Sequence, residues 1–264
     1  AALPWLERFL TANPNHAEAR QMAADAATQT GQTAKSVPHL EKLAQLDPKQ
    51  PALWYELGRA YETLAFDEFH ALEKAHPESG PFFAVLAESR TKASQDRAAF
   101  FFWKKALEKT PALRGAHAAL AAIYRRQNQA EWAAQEDAAE AKLGKLSCAA
   151  ARTAECELQA GRAAPALALA KSLPGAPGFY WRIRSYNALA RAAFAKLEQL
   201  PPSPERFRFA AETHTAQGRH PEAAAAWKEA LKLAPNRPDL ERELAASLMN
   251  AKQYAEAQEL TGKL

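Results

Sequence analysis

Two stretches of this chain repeat each other about 125 residues apart, and that recurrence limits the fold more than any other feature. Trp103-Lys104, Ala106-Leu107 and Pro111 return as Trp227-Lys228, Ala230-Leu231 and Pro235. A shorter period runs inside the long one. Pro14 and Pro48 lie 34 residues apart, as do Pro77 and Pro111, while Pro202 and Pro235 lie 33 apart. Each proline closes a run with apolar residues at helical spacing, so each ends a helix. Gly31-Gln32, Asn128-Gln129, Gly161-Arg162 and Gly218-Arg219 divide the intervals into two helices each. A period of this size signals stacked helix pairs and not a closed enzyme core.

Composition agrees. Only 10 glycines occur in 264 residues, and alanine is heavily used, which favours helix throughout. The net charge of +4 is spread along the chain. It forms no Lys/Arg stripe of the kind that tracks a phosphate backbone, so nucleic acid is not an expected partner. No apolar run approaches the ~18–20 residues of a membrane span. No signal peptide is visible, yet the chain opens directly inside a helical pattern and reads as a mature or truncated product. Cys148 and Cys156 are the two cysteines. On one continuous helix they would be about 12 Å apart, beyond the ~7 Å Cα limit for a disulfide. With Cys148 in the loop before that helix, a bridge becomes feasible. We read them as two small buried thiols.

The residues at fixed places in the two-helix units carry a resemblance. Trp54, Leu57-Gly58 and Tyr61 form one first-helix set; Phe83, Leu86-Ala87, Ala99, Trp103, Ala106 and Pro111 span nearly a whole unit. Leu120-Ala121, Tyr124 and Ala133 follow, then Phe207, Ala223, Trp227, Ala230 and Pro235. These units resemble tetratricopeptide repeats over essentially the whole chain, most weakly around residues 145–176, and are similar to alanine-rich bacterial members that are often exported. The resemblance implies an all-α, right-handed solenoid of about seven antiparallel helix pairs with a concave groove lined by first helices. The packing logic is general: small residues let paired helices approach closely, and stacked pairs bury a core that one pair cannot.

Two units are short. Pro48 to Pro77 spans 29 residues, and no turn residue interrupts 52–75, so its two helices are fused, kinked or joined with almost no loop. Tyr61, Leu64, Phe69, Leu72, Glu73 and Pro77 reappear at an offset of 125 as Tyr186, Leu189, Phe194, Leu197, Glu198 and Pro202. From Phe83 and Phe207 onward the offset is 124. We therefore divide the chain into a first block, 1–144, a degenerate repeat or bend, 145–176, and a second block, 177–264. The chain opens on a lone second helix, and neither end shows a polar capping helix.

Catalytic constellations are absent from the sequence. The histidines are scattered, the cysteines lack metal-ligand spacing, and no phosphate loop or nucleophile elbow occurs. We expect no enzyme activity, no cofactor and no metal; His214 and His220, flanking Gly218, read as a solvated turn. The resemblance assigns groove positions to Tyr55, Arg59 and Glu62; to Glu88 and Lys92; to Arg125 and Arg126; to Tyr180, Arg184 and Asn187; and to Arg208, Glu212 and Thr215. Co-chaperone members grip a C-terminal carboxylate with Lys and Asn. Here those positions hold Tyr55 and Arg59, Ala84 and Glu88, and Ala118 and Ala122, so that clamp is not expected. One anomaly stands apart from the family pattern. Phe100-Phe101-Phe102-Trp103 sweeps most of a helix circumference, whereas its second copy reads Ala224-Ala225-Ala226-Trp227. The scaffold needs the tryptophan, and the three phenylalanines are additions that suit an exposed aromatic patch. The expected function is a protein- or peptide-binding scaffold, in the periplasm or outside the cell rather than in the cytoplasm. The alternative is a structural subunit that associates end to end.

Overall fold

The computed structural model describes residues 2–144, 146–149 and 152–262. It is all helical: α1 (Leu3–Ala12), α2 (Ala17–Gln29), α3 (Thr33–Leu46), α4 (Pro51–Ala75), α5 (Gly80–Lys92), α6 (Asp96–Lys109), α7 (Ala116–Arg126), α8 (Ala130–Lys142), α9 (Ala154–Gln159), α10 (Ala163–Lys171), α11 (Gly175–Gln199), α12 (Pro204–Ala216), α13 (His220–Leu233), α14 (Pro238–Asn250) and α15 (Tyr254–Thr261). Six hairpins account for most of these: α2 with α3, α5 with α6, α7 with α8, α9 with α10, α12 with α13 and α14 with α15. The two short units take the fused form, since α4 and α11 are each one unbroken helix of 25 residues.

One turn design closes all six hairpins. The second residue after the first helix adopts a left-handed backbone at Gly31, Ser94, Asn128, Gly161, Gly218 and Lys252. The next amide then donates back to the carbonyl five residues earlier. Gln32 reaches Ala27, Gln95 reaches Arg90, Gln129 reaches Tyr124, Arg162 reaches Glu157, Arg219 reaches His214 and Gln253 reaches Leu248, all at 2.8–2.9 Å. This geometry satisfies carbonyls that a helix end would otherwise leave open. Helix starts are fixed by side-chain caps where the sequence allows. The Ser79 and Ser203 hydroxyls accept from the Phe82 and Arg206 amides at 3.2 Å, with Pro81 and Pro204 in the first turn.

Contacts divide the chain into two compact units, one made of Ala1–Tyr61 and Ala190–Leu264, the other of Glu62–Leu189. The division falls inside α4 and inside α11. In the first unit, Leu3 and Leu10 of α1 cover Ala19, Ala23 and Ala27 of α2. A second cluster gathers Ala211, Trp227, Ala230, Leu240, Leu244 and Leu248. The second unit centres on Ala84, Ala87, Ala99, Trp103, Ala106, Leu120 and Ile123, and Tyr180 from α11 joins them. Trp181 packs against this core, and Phe179 against a further cluster of Leu72, Phe82, Ala176 and Ile183.

Candidate partner-binding surface

Each unit holds a buried tyrosine on a long helix, bonded to a glutamate on a first helix. In the first unit the Tyr55 hydroxyl donates to Glu212 Oε1 at 2.8 Å. Arg208 lies over the Tyr55 ring, 5.0 Å from its centroid, and donates to the same carboxylate at 3.1 Å. In the second unit the Tyr180 hydroxyl donates to Glu88 Oε1 at 2.9 Å and accepts from Arg184 at 3.0 Å. Burial, reinforced by the facing carboxylate, pushes both phenols well above their ordinary range. Tyr55 and Tyr180 are therefore neutral hydrogen-bond donors built into the packing. They are not exposed contact residues, and they orient the glutamates and arginines beside them.

The remaining groove positions fall out as follows. Glu88, Arg184, Asn187, Arg208, Glu212 and Glu62 are half-buried; Arg59, Lys92, Arg125, Arg126 and Thr215 are exposed. Arg126 at the end of α7 makes a two-pronged pair with Asp96 at the start of α6, at 2.7 and 2.8 Å. Arg125 pairs with Asp137 of α8. The Thr215 hydroxyl bonds the Ala211 carbonyl at 2.9 Å. The structure thus distributes these side chains over both units.

The phenylalanine run splits three ways. Phe102 stacks on Phe83, with centroids 6.5 Å apart, and Phe100 meets the Tyr124 edge at 5.4 Å. Both are half-buried against the core of the second unit. Phe101 alone points outward, with 54% of its surface exposed. Tyr124 in turn stacks on Trp132 of α8 at 6.2 Å, and Trp132 is also 54% exposed. A continuous aromatic row results, Phe100–Tyr124–Trp132, while the Phe101 ring meets Phe102, with centroids 5.3 Å apart. Lys104 caps that end, 5.8 Å from the Phe100 centroid, while pairing with Glu136 at 2.8 Å. Burial alone would raise the Glu136 carboxyl; bonds from His117 and Lys104 outweigh it and hold the group below the usual carboxylate range.

The sequence reading missed Trp132. The signal was available in the repeat itself, because Phe100, Tyr124 and Trp132 correspond to Ala224, Leu248 and Glu256 in the second block. There Glu256 pairs with Lys228 at 2.5 Å. An exposed ion pair in one copy stands where an aromatic row stands in the other.

Two further expectations change. Cys148 lies before α9 rather than on it, its Cα 5.5 Å from that of Cys156, and the two form a disulfide instead of two free thiols. His214 and His220 are half-buried rather than solvated, each with its Nδ1 shielded and unpartnered among the described residues. Among those residues no group of three potential ligands could hold a metal ion, and no helix is long and apolar enough to cross a membrane.

These features define an all-α protein built from antiparallel helix-pair repeats. Residues 214–264 match the family model of the tetratricopeptide repeat. Similar solved structures include MamA, 16% identical over 54% of this chain and 86% of that one, with a TM-score of 0.30. A tetratricopeptide repeat protein from Parabacteroides merdae is 16% identical, with 88% of this chain and 98% of that one covered and a TM-score of 0.30. The P58(IPK) TPR domain is 15% identical, covering 99% and 77%, with a TM-score of 0.25. No curated protein matches the chain.

Proposed function

We propose that this protein is a non-catalytic scaffold that holds a protein or peptide partner through its first-helix groove residues and the aromatic row of α6–α8. One observation carries the reading: Phe101 and Trp132 expose large rings at positions where the second block folds with Ala225 and Glu256. The fold does not need those rings, and exposed aromatics beyond the needs of packing mark interfaces. The half-buried pairs Tyr55–Glu212 and Tyr180–Glu88 support a groove role for Arg208 and Arg184, whose guanidiniums they hold in place. The division into blocks 1–144 and 177–264 with a bend at 145–176 remains our description of the repeat copies. A periplasmic or extracellular setting is supported by the Cys148–Cys156 disulfide, because such bonds persist in oxidising compartments. Nucleic acid is not a proposed partner, since no basic stripe suits it.

Cross-linking in native cells, with and without the double substitution Phe101→Ala and Trp132→Glu, tests the scaffold. Both sites are half open to solvent, so folding should be retained, and a thermal melt checks that. The expected outcome is loss of the principal cross-linked species. An unchanged cross-linking pattern in a folded variant refutes the aromatic site.

A second reading, end-to-end self-association, rests on its own observation. On α1, Trp5 is 72% and Phe9 44% exposed, opposite the face that packs on α2.

A further inference from the structure

The first block carries cations that its copy lacks. Arg90, Arg97, Lys105, Lys109 and Arg125 correspond, at an offset of 124, to His214, Pro221, Glu229, Leu233 and Met249. They sit on α5, α6 and α7, around the same helices that carry the aromatic row. Arg97, Phe101 and Lys105 are spaced four residues apart, which places them along one face of α6.

Their own partners leave much of this charge unspent. Lys105 pairs with Glu108 at 2.9 Å, Lys109 lies 3.9 Å from Glu78, and Arg125 pairs with Asp137. All are solvent-facing pairs of the kind that hold little free energy and exchange readily. Arg90 donates at 3.1 Å to the neutral side chain of Gln95. Arg97 has no ion-pair partner among the described residues. Two guanidiniums therefore lack a carboxylate, and one of them is a single helical turn from the exposed Phe101 ring.

We propose that this face docks an acidic segment of another protein that also carries at least one large apolar side chain. The inference rests on the scaffold reading above and gives its partner a chemistry. Carboxylates on the segment would take the two-pronged donors of Arg97 and Arg90. The apolar side chain would cover the exposed Phe101 ring, where an aromatic anchor contributes most. The second block, with Pro221, Ala225 and Glu229 on the corresponding face, offers neither, so each chain has one such site.

Titration calorimetry of the full chain with a short synthetic amphipathic peptide of glutamate and leucine tests this. Two control peptides serve alongside, with lysine for every glutamate or serine for every leucine. The expected result is one glutamate–leucine peptide per chain, weakened by added salt. Affinity should fall about tenfold or more in Arg90→Ala/Arg97→Ala and again in Phe101→Ala, a loss typical of central interface residues. Lys232→Ala, in the second block, should bind normally. Equal binding of the glutamate and lysine peptides overturns the proposal, as does unchanged affinity in the arginine variant or no binding at all. If the peptide fails while Phe101→Ala/Trp132→Glu still abolishes native cross-links, the scaffold survives and only its acidic partner falls. Sedimentation with phosphatidylserine vesicles that depends on Arg90 and Arg97 would also overturn it, in favour of a membrane surface.

Discussion

Glu157 has no exposed side-chain surface, yet it carries charge because Arg162 and Arg152 bond its two oxygens at 2.5 and 2.8 Å. The Arg162 and Arg152 bonds hold its carboxyl down to about 2. A folded-state value below the unfolded one means stability that is fully present above pH ~4.5 and lost as pH falls towards 2. Thermal unfolding of the wild type should therefore fall across that window. Glu157→Gln should melt lower at neutral pH and converge with wild type near pH 2; parallel curves at all pH values would remove Glu157 as the cause. Nothing in the sequence pointed to this residue, since the five-residue spacings to Arg152 and Arg162 match no helical pairing rule. Tyr55 and Tyr180 show the same limit from the other side. Repeat register assigned them to the groove in the same set as Glu212 and Glu88, which they bond. It could not show that a facing helix buries them.

At the scale of elements, the turns were legible wherever glycine or asparagine marked the left-handed residue. Ser94 and Lys252 adopt the same backbone without that mark. A non-glycine residue there costs roughly 1–2 kcal/mol, which the hairpin's packing and its recovered hydrogen bond offset. The fused helices were legible as a shortened period, but their choice among fused, kinked or looped forms depends on packing. Gly58 shows how close that packing is. A Cβ built there would lie 2.5 Å from the Phe194 ring. That ring cannot easily withdraw, being stacked on Phe209 with centroids 4.1 Å apart. Gly58→Ala would gain about 0.5–1 kcal/mol in helix propensity and lose about 1–3 kcal/mol to overpacking. We expect a net loss of about 1–2 kcal/mol in denaturant unfolding. A stabilised variant would mean that Phe194 yields freely. The equivalent position in the second block is Ile183, packed in the other unit with Phe69 at its border, so the glycine answers to one neighbour and not to the repeat.

For the whole molecule, the repeat and the compact units cut the chain differently. Tyr55 of the first block bonds Glu212 of the second, while Tyr180 of the second bonds Glu88 of the first. These are the same pair of repeat positions used twice with the copies exchanged. Each unit thus takes the first part of a long helix from one copy and a hairpin from the other, an arrangement that no linear reading of blocks reveals. For self-assembly, the exposed aromatic surface of α1 sets the scale. Trp5 and Phe9 together offer on the order of 250 Å², against about 800 Å² per partner in a stable interface. Contact through α1 alone is too small for a permanent filament, so any self-association should be weak and reversible. Sedimentation velocity of the full chain should show a weight-average coefficient that rises only at high protein concentration, and Trp5→Ala should abolish the rise. A strictly constant coefficient would discard end-to-end assembly, and a stable oligomer at low concentration would show that a larger surface than α1 drives it.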